Sequence, residues 1–354
     1  MSRVLRSIME KRVRRTEWKW FAVCLLLVLG VPAWAQEEPA EAVSAKADAV
    51  PIRDLETLVV QGVQPGPGLW RVGKDGHVMW VLGTVSPLPS GIEWQSGEVE
   101  AAIARSSAVL SPPSFVLNAD VGFFGMLGLA PQMWKAMRNE DGARLEDVLP
   151  AELHARWLVQ KQRYLGRDRG VERKRPMIAA GELRAAAIKS VGLGQKPVLW
   201  PVVERSMKAA GLKPTPTRVK LTIEDPKAAI REFRAGGMDD VACFERTLAS
   251  VERDLPKLVE RANAWAVGDV EALRRLPLED VDGTCMQAFA ASGYARDHDY
   301  GDLRERVRKQ WLDIAEQTLR ANAESFALLP VDQMLAADGY LARLQARGYE
   351  VEAP

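Results

Sequence analysis

The chain has 354 residues, of which 47% are hydrophobic and 27% are charged, so it can bury one sizeable core or two small ones. The formal net charge of +1 includes a basic N-terminal stretch, and the rest of the chain is mildly acidic without a basic run. The composition therefore argues against nucleic acid as a partner, because it offers no cationic surface of the usual kind.

The first element in chain order is a predicted signal peptide over residues 1–35. The basic stretch KRVRRTEWKW is followed by FAVCLLLVLGVPAWA, a mostly apolar segment of about fifteen residues that ends in Ala33-Trp34-Ala35. A membrane span needs about 20 apolar residues, and Pro32 interrupts this one. We therefore expect cleavage before Gln36, export to the periplasm or beyond the cell, and no membrane span in the cleaved protein.

Residues 36–66 are rich in Ala, Glu and Pro at their start and too polar there to pack, which predicts a flexible leader. The remaining residues, 67–354, are expected to form the folded domain. Cleavage would leave two cysteines, Cys243 and Cys285. In an exported chain, two cysteines are most simply explained by a disulfide, and without histidine partners they make a poor metal site.

The domain is expected to open with a β-hairpin followed by a helix and a strand. Residues 69–72 and 78–82 are apolar runs that flank an Asp75-Gly76 turn. Residues 93–107 have a helical apolar face, and residues 108–113 read as a short buried strand that two prolines end. This order of elements indicates a βαβ unit.

The middle of the chain is predicted to be mostly helical, with a strand, a helix and a strand over 196–223. Apolar residues at steps of three and four from Phe244 to Trp265 predict one long helical face, which Pro256 interrupts and Asp254 caps. Near the C terminus we expect a helix that includes Trp311, a strand at SFALLPV, a helix ended by Gly348, and a last strand at YEVE. The fold class is therefore α/β (α+β), with a central sheet of N- and C-terminal strands and a large helical middle section.

Three stretches resemble the TraB/GumN family, which includes the Tiki-type metalloproteases. They are LWRV…VMWVLGTVSPLP near the start, CFERTLASVERDLPKLVERANAWAVGDVEALRRLP…C in the middle, and RERVRKQWLDIAEQTL…SFALLPVDQMLAADGYLARLQARGYEV at the end. Together they cover most of residues 68–354. The resemblance implies a hydrolase fold in which two Gly-x-x-His motifs and a Glu hold a divalent metal, which activates water and polarises a carbonyl.

The sequence departs from that pattern at each expected ligand position. Ser86 stands where the first histidine is expected, Ser111 where the glutamate is expected, and Gln333 where the second histidine is expected. The resemblance also implies further residues of the cleft. They are Gly83, Thr84, Glu305, Arg306 and Asp332.

The histidine inventory agrees with this departure. The chain has three histidines, none of which lies in a matching motif. We expect His77 in the hairpin turn and His154 on a helix to be solvated, and His298 to lie in a polar loop. Ser86 has no evident base to activate it as a nucleophile.

Two hypotheses from different classes follow. In the first, the protein is an exported, catalytically degenerate relative that needs no cofactor and binds an unknown ligand or an envelope protein in the former metal cleft. In the second, it is an active metal-dependent hydrolase or protease whose site is rebuilt around a divalent ion from other side chains, for which the candidates are Asp332, Glu305, Ser86 and His298. A purely structural exported protein is a third possibility, and no residue pattern favours it.

Overall fold

The computed structural model describes residues 62–89, 91–119, 123–194, 197–235, 240–298 and 300–354. The predicted signal peptide and nearly all of the predicted leader lie outside these residues. At the end of the leader, the backbone N–H of Gln64 donates to Glu93 O at 2.8 Å and that of Gly66 to Ala266 O at 2.8 Å. The bounds of the three predicted segments stay predictions.

The described part of the chain alternates strands and helices. Its strands are β1 Leu69–Lys74, β2 His77–Thr84, β3 Leu88–Pro89, β4 Val109–Leu110, β5 Phe115–Ala119, β6 Leu193–Gly194, β7 Pro214–Thr215, β8 Val219–Ile223, β9 Glu324–Pro330 and β10 Glu350–Glu352.

The helices occupy mainly the middle of the chain. They are α1 Gly97–Arg105, α2 Phe123–Ala136, α3 Leu145–Val148, α4 Ala151–Tyr164, α5 Pro176–Ser190, α6 Trp200–Ala209, α7 Pro226–Ala235, α8 Val241–Arg253, α9 Leu255–Ala266, α10 Val270–Arg275, α11 Val281–Ala290, α12 Gly293–Asp297, α13 Leu303–Ala321, α14 Val331–Leu335 and α15 Tyr340–Ala346, with 3-10 turns at Glu140–Gly142 and Val171–Arg173.

A mixed six-stranded sheet forms the centre of the described part, in the order β10-β1-β2-β9-β4-β7. The β1 strand is antiparallel to both β10 and β2, whereas β2, β9, β4 and β7 are mutually parallel. N- and C-terminal strands thus meet in one sheet with a helical middle section, which confirms the predicted fold class.

The predicted hairpin is confirmed, and the backbone conformation of its turn explains why the chain reverses there. Asp75 and Gly76 take positive φ values of 51° and 82°, which a tight two-residue turn requires and which Asp-Gly adopts at little cost. The predicted βαβ unit is also present as β2, α1 and β4. Its two strands are not neighbours, however, because β9 lies between them and pairs with both.

Helices α8 and α9 form the predicted interrupted pair. Phe244, Leu248 and Trp265 are buried along one face, and the break falls at Asp254, two residues before Pro256. The prediction that the Asp254 side chain caps α9 is wrong, although Asp254 does stand directly before that helix. The Asp254 carboxylate accepts the backbone N–H of Glu279 at 2.8 Å instead of one from α9, since α8 leads directly into α9 and leaves its first turn no open end.

One predicted strand is absent. Residues 197–199 of the KPVLW run form a bend that leads into α6. Pro201 sits in the first turn of α6, a position that proline favours because its missing N–H has no partner there anyway. The helix and the later strand predicted for 196–223 are confirmed as α6 and β8.

The disulfide between Cys243 and Cys285 is present and joins α8 to α11. A loop of 42 residues closed in this way is worth about 4 kcal/mol in the chain-entropy model. Trp265 and Trp311 are fully buried, as expected for core residues. Across the described ranges, no helix has the length and apolarity needed to cross a bilayer.

Candidate functional site

The three predicted ligand positions follow the carboxyl ends of three parallel strands. Ser86 comes two residues after β2, Ser111 directly after β4, and Gln333 in α14, which directly follows β9. Because β2 and β4 both pair with β9, these strand ends lie at the same edge of the sheet. Open α/β sheets bind ligands at this edge, and we call it the strand-end site.

Ser86 and Gln333 are both exposed at the strand-end site. Ser86 precedes Pro87 across a cis peptide bond. Within the described residues, the side chains of Ser86, Ser111 and Gln333 make no hydrogen bond to one another. That the three share a single cleft stays a prediction.

Ser111 is tied to the scaffold through its backbone. Its carbonyl accepts Trp311 Nε1–H at 3.1 Å, and its N–H donates to Thr215 O at 3.1 Å. The Thr217 hydroxyl lies 3.0 Å from the Ser111 carbonyl and 2.8 Å from that of Pro112, and its one proton is shared between them. Thr217 is fully buried. The strand end at β4 is therefore held by hydrogen bonds from both α13 and the segment after β7.

Asp332 is paired with a buried arginine. The side chain of Arg261, on α9, is 2% exposed and that of Asp332 is 62% exposed, and the Arg261 guanidinium donates to the carboxylate. Arg261 also donates to the carbonyls of Leu273 at 2.9 Å and Leu276 at 2.7 Å. These partners satisfy a charge that would be costly to bury alone.

The pKa of Asp332 is raised above its ordinary value. Loss of water around the carboxylate raises it, and the negative charges of Asp280 and Asp282 act in the same direction, against the opposing charge of Arg261. Because 62% of the Asp332 side chain contacts water, solvent screens these charges and keeps their effect on stability small.

Gly83 and Thr84 support the strand-end site through the backbone. Trp265 Nε1–H donates to Gly83 O at 2.9 Å, and Thr84 Oγ1–H donates to Leu329 O at 3.3 Å. A Cβ added at Gly83 would lie 3.0 Å from Val331 Cγ2, which explains why a residue without a side chain fits there. Both residues position the site and present no reactive group.

Glu305 and Arg306 are neighbours on α13, but their side chains lie in different surroundings. The Glu305 carboxylate accepts Arg343 at 3.2 Å and lies 3.5 Å from Arg308. Arg306 instead lines a separate cavity beside β8, together with Tyr294 and His298. The two candidate residues therefore serve different surfaces.

Two of the expectations for histidine were wrong. His77 begins β2 and is half-buried, with Nδ1 2.8 Å from Asn322 O. The side chain of His154 is 16% exposed and lies 3.8 Å from the buried Glu172 carboxylate. His298 directly follows α12 and is exposed, 3.4 Å from Glu232, and it lies by β8 rather than at the strand-end site.

The divalent metal that the resemblance implies does not fit the residues present. The predicted ligand positions carry two hydroxyls and an amide, and the guanidinium of Arg261 occupies the Asp332 carboxylate. In the ranges that the structure describes, no group of three or more His, Cys, Asp or Glu residues could hold a metal ion. Zinc and similar ions need three or four such ligands, so no chemical step is assigned to a metal here.

Sequence reasoning missed the residues that hold the strand-end site together. Arg261, Trp265 and Thr217 reach strand ends from elements far away in the chain. Helical periodicity marks Trp265 only as a core residue. The one available signal was the RANAWAVGD stretch, which begins with Arg261 and carries part of the family resemblance.

Comparison with known proteins gives one finding. A model of the TraB/PrgY/gumN family matches residues 68–353, which is most of the chain. No curated protein and no solved structure matches it. The match includes every strand and helix given above, together with all the strand-end residues. The chain therefore belongs to the TraB/PrgY/gumN family.

Proposed function

We propose that this protein is an exported, catalytically degenerate member of its family that binds a ligand or partner protein at the strand-end site. The observation that carries the proposal is the chemistry of three strand ends. Ser86, Ser111 and Gln333 offer hydrogen-bonding groups and no charge, and Asp332 is held by Arg261. Such groups can bind a polar ligand, but they are poor ligands for a catalytic metal.

Neutral residues at three separate ligand positions argue more strongly against a catalytic metal than a neutral residue at one position would. A single neutral residue could reflect a shift of the metal site by a few residues. Three neutral residues at three strand ends leave no pair of ligands around which a shifted site could form. The family scaffold is retained, since the family model matches residues 68–353, and within it Trp265 and Trp311 hold Gly83 and Ser111.

Export to the periplasm is the second part of the proposal. The basic and apolar N-terminal segment with its Ala-Trp-Ala end supports it. The Cys243–Cys285 disulfide also supports it, because such bonds persist in oxidising compartments. Recovery of the full-length chain in the cytosolic fraction, with its N terminus intact, would contradict this part.

A hydrolysis panel distinguishes the proposal from an active enzyme. The purified protein is assayed on peptides and esters with zinc, cobalt or manganese added, beside Ser86→Ala and Asp332→Ala variants. We expect no metal-dependent turnover by any of the three proteins. Turnover that requires metal and disappears in both variants would establish a rebuilt hydrolase site instead.

Binding at the strand-end site has its own test. Gln333 is exposed on α14, so a Gln333→Trp substitution blocks the site without disturbing the core. Val159→Trp, at a position 64% exposed on α4, is the matched control. We expect a molecule that co-purifies from envelope extracts with the wild-type and control proteins to be lost with Gln333→Trp. Equal recovery from all three would refute binding at this site.

A further inference from the structure

Among the described side chains of helix α2, most of the large apolar ones are exposed to water. Leu129 and Ala136 are its buried residues among those whose side chains are described, and they pack on Ile230 and Phe233 of α7. The large side chains that remain exposed on α2 and one residue beyond it are Leu127 at 56%, Met133 at 44%, Trp134 at 60% and Met137 at 43%. We call these four residues the apolar face.

The apolar face is continuous. Met137 N–H donates to Met133 O, so the helical path extends to this residue. At about 100° per residue, the four side chains fall within about 120° of arc. Single exposed apolar residues are ordinary on protein surfaces, but a contiguous group of this size marks an interaction surface.

The segment around the apolar face is free of acidic residues. Residues 121–138 contain Lys135 and Arg138 and no Asp or Glu. At the C-terminal end of α2, a cavity of about 570 Å³ opens beside the apolar face. The cationic side chains on its wall are Lys135, Arg138, Arg173, Arg175 and Arg234, and the carboxylates are Glu140, Asp141 and Asp240.

The cations of this wall outnumber its carboxylates by two, five against three. Arg175 pairs with Asp240 at 3.2 Å, which removes one charge of each sign. Across the described ranges, Lys135, Arg138, Arg173 and Arg234 form no ion pair. Arg138 stacks on the Trp134 ring at 3.7 Å, so the cationic cavity and the apolar face meet at one side-chain pair.

We propose that the apolar face and the cationic cavity dock the protein on an anionic phospholipid bilayer. The apolar face enters the boundary between headgroups and acyl chains, and the cavity takes lipid phosphate groups. Tryptophan beside arginine suits this boundary, where one end of the ring is apolar and the other is wet. With 14 residues, α2 is about 21 Å long, too short for a hydrocarbon core of about 30 Å, so it lies along the surface.

Charge favours a bilayer over a second copy of the chain. A two-fold contact would place the same patch on both partners, so the unpaired cations of one copy would face those of the other. An anionic bilayer supplies the opposite charge over the whole surface instead. The contact should therefore weaken as salt screens it.

Vesicle co-sedimentation tests the proposal with the signal-cleaved protein. Vesicles of phosphatidylcholine alone are compared with vesicles that also contain phosphatidylglycerol, at low and high salt. We expect binding to the anionic vesicles, reduced at high salt, and little binding to the neutral ones. A Lys135→Gln/Arg138→Gln variant should bind about tenfold more weakly or worse, because each cation near the surface contributes on the order of 1 kcal/mol.

Removal of the apolar face should also abolish binding. Leu127→Ser/Trp134→Ser changes exposed side chains, so the variant should fold, which circular dichroism verifies. The matched control is Leu158→Ser/Val159→Ser, at positions 45% and 64% exposed on α4, and it should bind like the wild type. Wild-type binding by the α2 variant, absence of binding to anionic vesicles, or equal binding to neutral ones would overturn the proposal. So would light scattering that shows a dimer which Leu127→Ser/Trp134→Ser dissociates.

Discussion

At the scale of single residues, the ion pair of Arg261 and Asp332 links α9 to the strand-end site. The arginine is buried on α9 and donates to three acceptors. Two of them are backbone carbonyls, that of Leu273 in α10 and that of Leu276 directly after it, and the third is the Asp332 carboxylate. This carboxylate is the one nearest to the strand-end site in sequence. The pair explains physically why Asp332 is a poor metal ligand, because its oxygen already accepts a guanidinium hydrogen bond.

Substitution of Arg261 should lower the free energy of unfolding more than substitution of Asp332. Arg261→Met leaves two carbonyls without donors and should lower the free energy of unfolding by about 2–3 kcal/mol. Asp332→Asn keeps Arg261 on those carbonyls, and the exposed carboxylate gains little from the fold, so we expect a change of less than about 1 kcal/mol. Urea unfolding followed by circular dichroism measures both. An equal or reversed order would mean that the ion pair, and not the carbonyl contacts, stabilises this region.

Glu172 is a second informative residue, because its charge is buried and paired. It is 3% exposed and accepts Trp157 Nε1–H at 3.1 Å and Lys161 Nζ–H at 2.7 Å. Burial alone would raise the pKa of Glu172, but the hydrogen bonds from Lys161 and Trp157 and the charge of Lys161 outweigh it and lower the pKa. Its contribution to stability is therefore present above the unfolded-state pKa and is lost as the pH falls through the folded-state pKa.

Glu172→Gln should reveal this dependence. At pH 7 the variant should be less stable than the wild type by about 1.5–3 kcal/mol, the range for hydrogen bonds to charged groups. The difference should shrink below about pH 4, where the unfolded-state carboxyl is protonated. Denaturant unfolding of both proteins across this pH range is the measurement. A difference that stays constant or grows in acid would contradict the assigned charge state.

Sequence reasoning worked at the residue scale where chemistry is local. The Asp75-Gly76 turn is an example, because the two residues alone determine the backbone conformation. It failed for the pairing of Arg261 with Asp332, which are 71 residues apart, and for His154, which is half-buried although it was expected to be solvated. Their partners come from other elements, and no local pattern identifies them.

At the scale of elements, the disulfide links two helices of the large middle section. Cys243 on α8 is 2% exposed and bonded to Cys285 on α11. Gly283 is the one fully buried residue of α11, and the partly buried Met286 and Phe289 pack on the cluster that includes Tyr294 and Tyr300. The bond adds a covalent link from α11 to α8.

Removal of the bridge should destabilise the fold measurably. We expect Cys243→Ala/Cys285→Ala to lower the free energy of unfolding by about 2–4 kcal/mol. A reductant should lower the stability of the wild type to the same level and leave the double variant unchanged, which chemical denaturation with and without reductant tests. Equal stability of the oxidised wild type and the double variant would contradict a stabilising bond.

Element order was predictable only in part. The hairpin, α1, β4, β9 and the terminal helix-strand pair follow from apolar periodicity and from Gly and Pro positions. The insertion of β9 between β2 and β4 does not, because it depends on pairing between residues more than 200 positions apart. That insertion decides which strand ends are neighbours, so the geometry of the candidate site required the structure.

At the scale of the whole molecule, the protein combines a family scaffold with neutral side chains at the three expected ligand positions of the strand-end site. The family match covers residues 68–353, and the mixed sheet brings the N- and C-terminal motifs to one edge. The family resemblance predicts that the N- and C-terminal motifs come together. The number of cysteines left after cleavage predicts the disulfide. The apolar face of α2 was not foreseen, since exposure of an apolar helix can be recognised only once its packing partners are known.

The central claim is that the strand-end site has lost its capacity to hold a catalytic metal. Its most direct test is the metal content of the native, tag-free protein after incubation with zinc, cobalt or manganese and removal of the free ion. We predict far less than one equivalent per chain for each metal, measured by plasma mass spectrometry. Retention of one tightly bound equivalent, lost in Ser86→Ala or Asp332→Ala, would contradict the account.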